Sequence, residues 1–237
     1  MNVSVIIPAA GASTRMGGDT RKPFMELCGE PILFRTCRRL KSFEGVTEII
    51  LAVHPEDLDY VQGELWDELS ARGVNMVVAG GENRQDSVWR AFSACDPSAD
   101  LVAIHDAVRP FITKEVAQML FKTAMQRGAA VPIVPLSDTI KRTEADHVVE
   151  TVPRRGLNRV QTPQVFEREL FLDACEYVLS TGGFSENITD DASIVEAYGK
   201  EVAVVLGDET NFKITTPRDL RIAEALVRAE GQSPVSS

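Results

Sequence analysis

Residues 8–24 read PAAGASTRMGGDTRKPF, a run in which the small residues Ala9, Ala10, Gly11, Ala12, Gly17 and Gly18 are interspersed with the cations Arg15, Arg21 and Lys22. Small side chains let backbone amides approach a phosphate closely, and cations offset its charge. Phosphate binding is the chemistry this pattern suits. Neither familiar phosphate loop is present, because GAS lacks the second glycine of GxGxxG and no GK[ST] follows at Walker A spacing. A dehydrogenase or a P-loop ATPase is therefore disfavoured. Taken alone, the loop fits an ordinary strand-to-helix turn with surface arginines equally well. Further polar clusters, GGENRQDS, HDAVRP, PLSDT, TDDAS and NFKITTP, come later in the chain. Most of them directly follow an apolar run, as expected if ligands bind beyond the carboxyl ends of parallel strands.

Those runs are VSVIIPA, EIILAV, VNMVVAG, DLVAIHD, AAVPIVP and EVAVVLG, each of strand length and mostly continuous in its hydrophobicity. Such runs mark strands buried on both faces. Helical patterns are expected between and after them over residues 31–43, 55–72, 84–95, 114–127, 167–179 and 217–229. In the fourth of these, Val116, Met119, Leu120 and Thr123 share one face at i, i+3, i+4 and i+7. Alternating strands and helices predict an α/β fold, a Rossmann-like and mostly parallel sheet covered by helices on both faces.

The alternation breaks between residues 137 and 165, where TIKRT and HVVETV flank a polar TEAD turn and predict a hairpin that leaves the sheet. A two-stranded hairpin cannot bury enough of itself to stand alone, so a second subunit is expected against it. Lys plus Arg number 25 against 35 Asp plus Glu, a net charge of −10, which argues against nucleic acid or an anionic membrane as partner. With 44% hydrophobic and 25% charged residues, the composition is that of a soluble globular protein. No apolar stretch reaches the roughly 18 residues of a membrane span, and no signal peptide precedes the first strand, so a cytoplasmic location is expected. Cys28, Cys37, Cys95 and Cys175 form no CxxC pair and are read as free thiols, not zinc ligands.

PAAGASTRMG followed by RKPF, then GGENRQDS, HDAVRP, DT, RRGL with TPQ, TDDAS and NFKITTP, resemble in order and spacing the motifs of the 2-C-methyl-D-erythritol 4-phosphate cytidylyltransferase family. The resemblance runs from residue 3 to about 229 and implies one nucleotidyltransferase domain over residues 1–230. It also implies a β-arm at about 137–160 that swaps between the two subunits of a homodimer, and residues 231–237 are left as a disordered tail. The reaction implied joins the phosphate of methylerythritol phosphate to the α-phosphorus of CTP and expels pyrophosphate, with Mg²⁺ as cofactor.

By the same resemblance Arg15 and Lys22 are catalytic and stabilise the transition state, while the backbone at Ala9, Ala10 and Gly11 holds CTP. Gly80, Gly81, Glu82 and Ser87 meet the base; Glu82 stands where the family often has Asp. Asp106 binds the nucleotide near the metal, which is held mainly by the CTP phosphates. Arg109, Arg154, Lys213, Thr139 and Thr189 position the substrate phosphate, with Arg154 and Thr139 supplied by the other subunit's arm. Alignment on RRGL and TPQ selects Arg154 over its neighbour Arg155. Plainer readings stand beside these: Ser87 as a helix-start hydroxyl, Asp106 as a turn residue capping an amide, and His105 as structural. The rival functions are a cytidylyltransferase for ribitol 5-phosphate, a sugar 1-phosphate nucleotidyltransferase, and a regulatory nucleotide-binding module.

Overall fold

The first apolar run forms β1 (Val3–Ala9), in which Val5 and Ile7 face one hydrophobic core and Ile6 faces the other. This period of two, with no solvent face, is what a strand covered on both sides requires. The structure is a computed structural model that describes residues 1–11, 22–184 and 187–232, for residues 22, 231 and 232 the backbone only. The C-terminal tail from 233 onward lies outside the described residues.

After β1 come a short hairpin of β2 (Glu26–Leu27) and β3 (Glu30–Pro31), α1 (Ile32–Lys41), β4 (Val46–Val53), and two short helices, α2 (Leu58–Gly63) and α3 (Trp66–Ala71). They are followed by β5 (Met76–Ala79), α4 (Arg84–Phe92), β6 (Leu101–Ile104), α5 (Lys114–Arg127) and β7 (Ala129–Pro135). β4 and β6 flank β1 in parallel on opposite sides, and β5 extends the sheet beyond β4. The chain therefore winds outward in two directions from β1.

Beyond β7 lie β8 (Ile140–Glu144), β9 (His147–Val152), β10 (Asn158–Val160), β11 (Gln164–Glu167), α6 (Arg168–Ser180), α7 (Ala192–Ala197), β12 (Ala203–Leu206) and α8 (Pro217–Gln232). β8 and β9 pair only with each other and are mostly exposed, Val148 and Val149 included. β10 instead returns to the main sheet against β7, so the excursion is shorter than the expected 137–160. β11 is antiparallel and wedged between β6 and β7, while β12 lies parallel on β7.

Two other expectations are corrected. The helix expected over 55–72 is a 3-10 turn plus α2 and α3, broken after Gly63, the residue type least able to hold a helix apart from proline. On α5 the buried face is Val116, Ala117, Leu120, Phe121 and Ala124, and Met119 is half exposed, because the small alanines let the helix lie close to the sheet. Cys28 is exposed whereas Cys37, Cys95 and Cys175 are buried, and all four are free thiols. Among the described residues no helix is long and apolar enough to cross a membrane.

Candidate active site

A cavity of about 530 Å³ opens beyond the carboxyl ends of β1, β4, β5 and β6. It sits where the connections from β1 diverge, the place where doubly wound sheets bind ligands. Its walls include Ala9, Ala10 and Gly11 after β1, Gly80, Gly81 and Glu82 after β5, Ser87 and Arg90 on α4, Asp106 after β6, and Lys213. Sequence-derived candidates from distant parts of the chain thus meet on one surface.

The loop after β5 owes its shape to glycine. A Cβ at Gly80 would lie 2.4 Å from the Ala10 Cβ, 2.8 Å from the Ser87 Oγ and 3.1 Å from the Val53 carbonyl oxygen. At Gly81 it would lie 2.2 Å from the Asp86 Cβ. The Gly80 amide donates to the Val53 carbonyl at 2.7 Å, and its carbonyl accepts from Arg90 Nη1 at 2.8 Å. The Asn83 Oδ1 caps α4 by accepting from the Asp86 amide at 2.8 Å. Ser87 is buried, donating to the Asn83 carbonyl at 2.8 Å and accepting from the Gly81 amide at 3.0 Å. Its hydroxyl proton is thus spent on shaping the loop, and a ligand would meet only its remaining lone pair.

Asp106 is the electrostatic centre. Its carboxylate is nearly buried, 2.9 Å from Arg109 Nε, 3.2 Å from Lys213 Nζ and 3.8 Å from Arg84 Nη2. Burial alone would raise its pKa, but Lys213, Arg84 and Arg109 together hold it below the usual carboxylate range. Arg84 is in turn clamped by the fully buried Asp191, at 2.8 and 2.7 Å from its two oxygens. Burial works against the guanidinium, yet Asp191 prevails and keeps it charged. Arg84 and Arg90 were not among the sequence candidates. A signal existed for Arg84: a cation in the first turn of a helix opposes the macrodipole, so it needs an anionic partner.

Behind Asp106, two side chains link two backbone groups in a chain of hydrogen bonds. The Asp106 amide donates to Thr162 Oγ1 at 3.0 Å, that hydroxyl meets His105 Nδ1 at 3.1 Å, and His105 Nε2 meets the Arg109 carbonyl at 2.9 Å. A carbonyl can only accept, so Nε2 carries a proton; burial disfavours the doubly protonated, charged ring, which leaves Nδ1 to accept from Thr162. Burial pushes the His105 pKa down to about 4. The unfolded chain protonates this residue near pH 6.5 and the folded protein only near 4, so stability is complete above the upper value and falls as pH drops between them. The loss across the window is about 3 kcal/mol. Urea midpoints in metal-free buffer at both ends of the window should therefore differ less in His105→Gln than in the wild type; equal differences would refute the assignment.

Other expected site residues lie elsewhere. Arg109 turns inward: its side chain is 13% exposed, donates to Asp106 and to the Asn211 carbonyl at 2.9 Å, and does not line the cavity. Here it braces Asp106, a nearly buried carboxylate whose charge it offsets. Arg154 and Thr139 flank the exposed hairpin, and Thr189 is exposed beside Asp190; none lines the cavity of its own chain. Arg15 and the side chain of Lys22 lie outside the described residues. Pro23, directly after Lys22, lines the cavity. Among the described residues no three His, Cys, Asp or Glu side chains cluster to cage a metal. Asp106 and Glu82 are the carboxylates lining the cavity among the described residues, a sparse set that suits a hard cation held mostly by ligand phosphates, as Mg²⁺ commonly is.

The family model for IspD, 2-C-methyl-D-erythritol 4-phosphate cytidylyltransferase, matches residues 3–229. The chain belongs to this family. A family member from Solibacter usitatus is 42% identical over 97% of both chains, and one from Caldanaerobacter subterraneus subsp. tengcongensis is 40% identical over 96% of this chain and all of its own. The crystal structure of the enzyme from Thermus thermophilus superposes with a TM-score of 0.79 at 35% identity, covering 96% of this chain and all of that one. Membership of a cytidylyltransferase family gives the cationic cavity its chemical context.

Proposed function

We propose that the chain transfers CMP from CTP to 2-C-methyl-D-erythritol 4-phosphate. A phosphate oxygen of the acceptor forms the new bond to the α-phosphorus, the bond from that phosphorus to the bridging oxygen breaks, and pyrophosphate leaves with the electron pair. The observation that carries this reading is a single cavity with a slot walled by backbone at Ala10, Gly80 and Gly81, and a cationic end at Arg84 and Lys213. The slot suits a flat base read by fixed donors and acceptors, and the cations suit phosphates.

The nucleophile is already an anion, so no general base is needed. The buried, neutral His105 agrees with that. What the reaction needs is charge neutralisation on the transferred phosphoryl group, the role proposed for Arg15 and Lys22, with Lys213 on the acceptor phosphate. Asp106 is the residue that would hold Mg²⁺ together with the triphosphate, a cation that offsets phosphate charge when bound. Arg154 and Thr139 would complete the site from the arm of a second subunit, which makes the working enzyme a homodimer.

Pyrophosphate release from CTP with Mg²⁺ tests the reading, using methylerythritol phosphate, ribitol 5-phosphate and glucose 1-phosphate as acceptors. The first should give the highest kcat/KM. Preference for either of the others would reassign the substrate.

A further inference from the structure

The loop that carries Lys213 is fastened to the base of the hairpin, and the main fastener is a side chain no motif singles out. Gln161, directly after β10, is 6% exposed. Its Nε2 donates to the Asp208 carbonyl at 2.7 Å, and its Oε1 accepts from the Asp208 amide at 3.4 Å. One side-chain amide thus pairs with one backbone residue as a neighbouring strand would. The fit is close, because a Cβ at Gly207 would stand 2.5 Å from the Gln161 Oε1.

From that anchor the loop is stiff up to the lysine. The Asp208 Oδ1 accepts from the amide and the hydroxyl of Thr210, and the Asp208 carbonyl also accepts from the Asn211 amide. Asn211, fully buried, donates through Nδ2 to the Thr162 carbonyl at 2.9 Å, and its own carbonyl receives Arg109. Phe212 stacks on Phe111, and Lys213 then reaches Asp106. Arg159 on β10 pairs with Glu209 on the rim.

We infer that Gln161 is a positioning residue: it holds the 207–213 loop so that Lys213 is presented to the cavity, and it ties that presentation to the strand on which the hairpin ends. The inference rests on reading Lys213 as the cation that receives the acceptor phosphate. Because β10 continues from the hairpin, each subunit's arm is keyed to its own Lys213 even while the arm reaches toward a partner.

The test uses the full-length protein with Gln161→Ala and with Gln161→Met, which keeps the volume and removes both hydrogen bonds. Amide exchange of residues 208–213 should accelerate in both variants while the rest of the sheet is unchanged. The KM for methylerythritol phosphate should rise about tenfold, with kcat less affected and the KM for CTP unchanged. Gly207→Ala should impair the wild type more than it impairs Gln161→Ala, in which the 2.5 Å collision with the Gln161 Oε1 is gone and only the Ile133 carbonyl oxygen at 3.3 Å remains. Unchanged exchange at 208–213 overturns the inference, as does faster exchange with an unchanged KM for the acceptor. A parallel rise in both KM values with global destabilisation also overturns it, since that is a merely structural role. If the wild type does not use methylerythritol phosphate, the proposed function fails, and the exchange measurement still decides whether Gln161 holds the loop.

Discussion

An equimolar mixture of Lys22→Ala and Arg154→Ala subunits is expected to recover about a quarter of wild-type turnover, although each variant alone falls by about 10²–10³-fold. The single losses follow from removing one preorganised cation from a reaction whose barrier is largely accumulated charge. The recovery follows from geometry. Pro23, the neighbour of residue 22, lines its own chain's cavity, whereas Arg154 is exposed beside the hairpin and does not line that cavity. If Arg154 serves the partner's site, random exchange makes half of the dimers mixed. Each mixed dimer has one site with both residues and one with neither. Subunit exchange is checked by native mass spectrometry of tagged chains. Proven exchange without recovery would mean that Arg154 acts within its own chain.

Gly80→Ala is expected to lower kcat/KM by at least about 10²-fold, mainly through the KM for CTP. The new Cβ would meet three neighbours, none free to retreat. Ala10 closes the end of β1, the Val53 oxygen is backbone, and the Ser87 hydroxyl is already bonded on both sides. The loop must therefore move away from β1 and open the slot proposed for the base. Gly63→Ala is the control, because nothing lies within 4 Å of its added methyl and α2 gains a better helix former. Isothermal titration with CTP separates lost affinity from lost turnover. A folded Gly80→Ala protein that binds CTP normally would refute the close-approach argument.

The strands were legible because burial on both faces writes a nearly continuous apolar run, as in AAVPIVP or in VSVIIPA, broken only by Ser4. β11 escaped notice because its buried core is only Val165 and Phe166, set within a polar stretch that pointed away from the sheet. α7 is six residues long, too short for a helical period to stand out. The site was legible as motifs, since strand-end loops collect their polar residues locally. Direction within a motif was not. Arg109 and Lys213 are both cations in recognised segments, yet only the fold decides that one braces Asp106 from behind and the other faces the cavity. Arg84 depends on Asp191, more than a hundred residues away, and such pairing leaves no trace in local spacing.

The pairing of β10 with β7 has a consequence for how the protein comes into being. The hairpin leaves the sheet after Pro135 and the chain is back beside that residue at Asn158, so both ends of the excursion are sealed by hydrogen bonds within one subunit. Among the described residues, the strands of the main sheet all find their pairing partners within the one chain. A sheet closed in this way lets a newly made chain complete its core without a partner, and in the proposed dimer only the arm would be left to find a place. Folding is then expected to be first-order in chain concentration, and if the proposed dimer forms, the gain of activity is expected to be second-order.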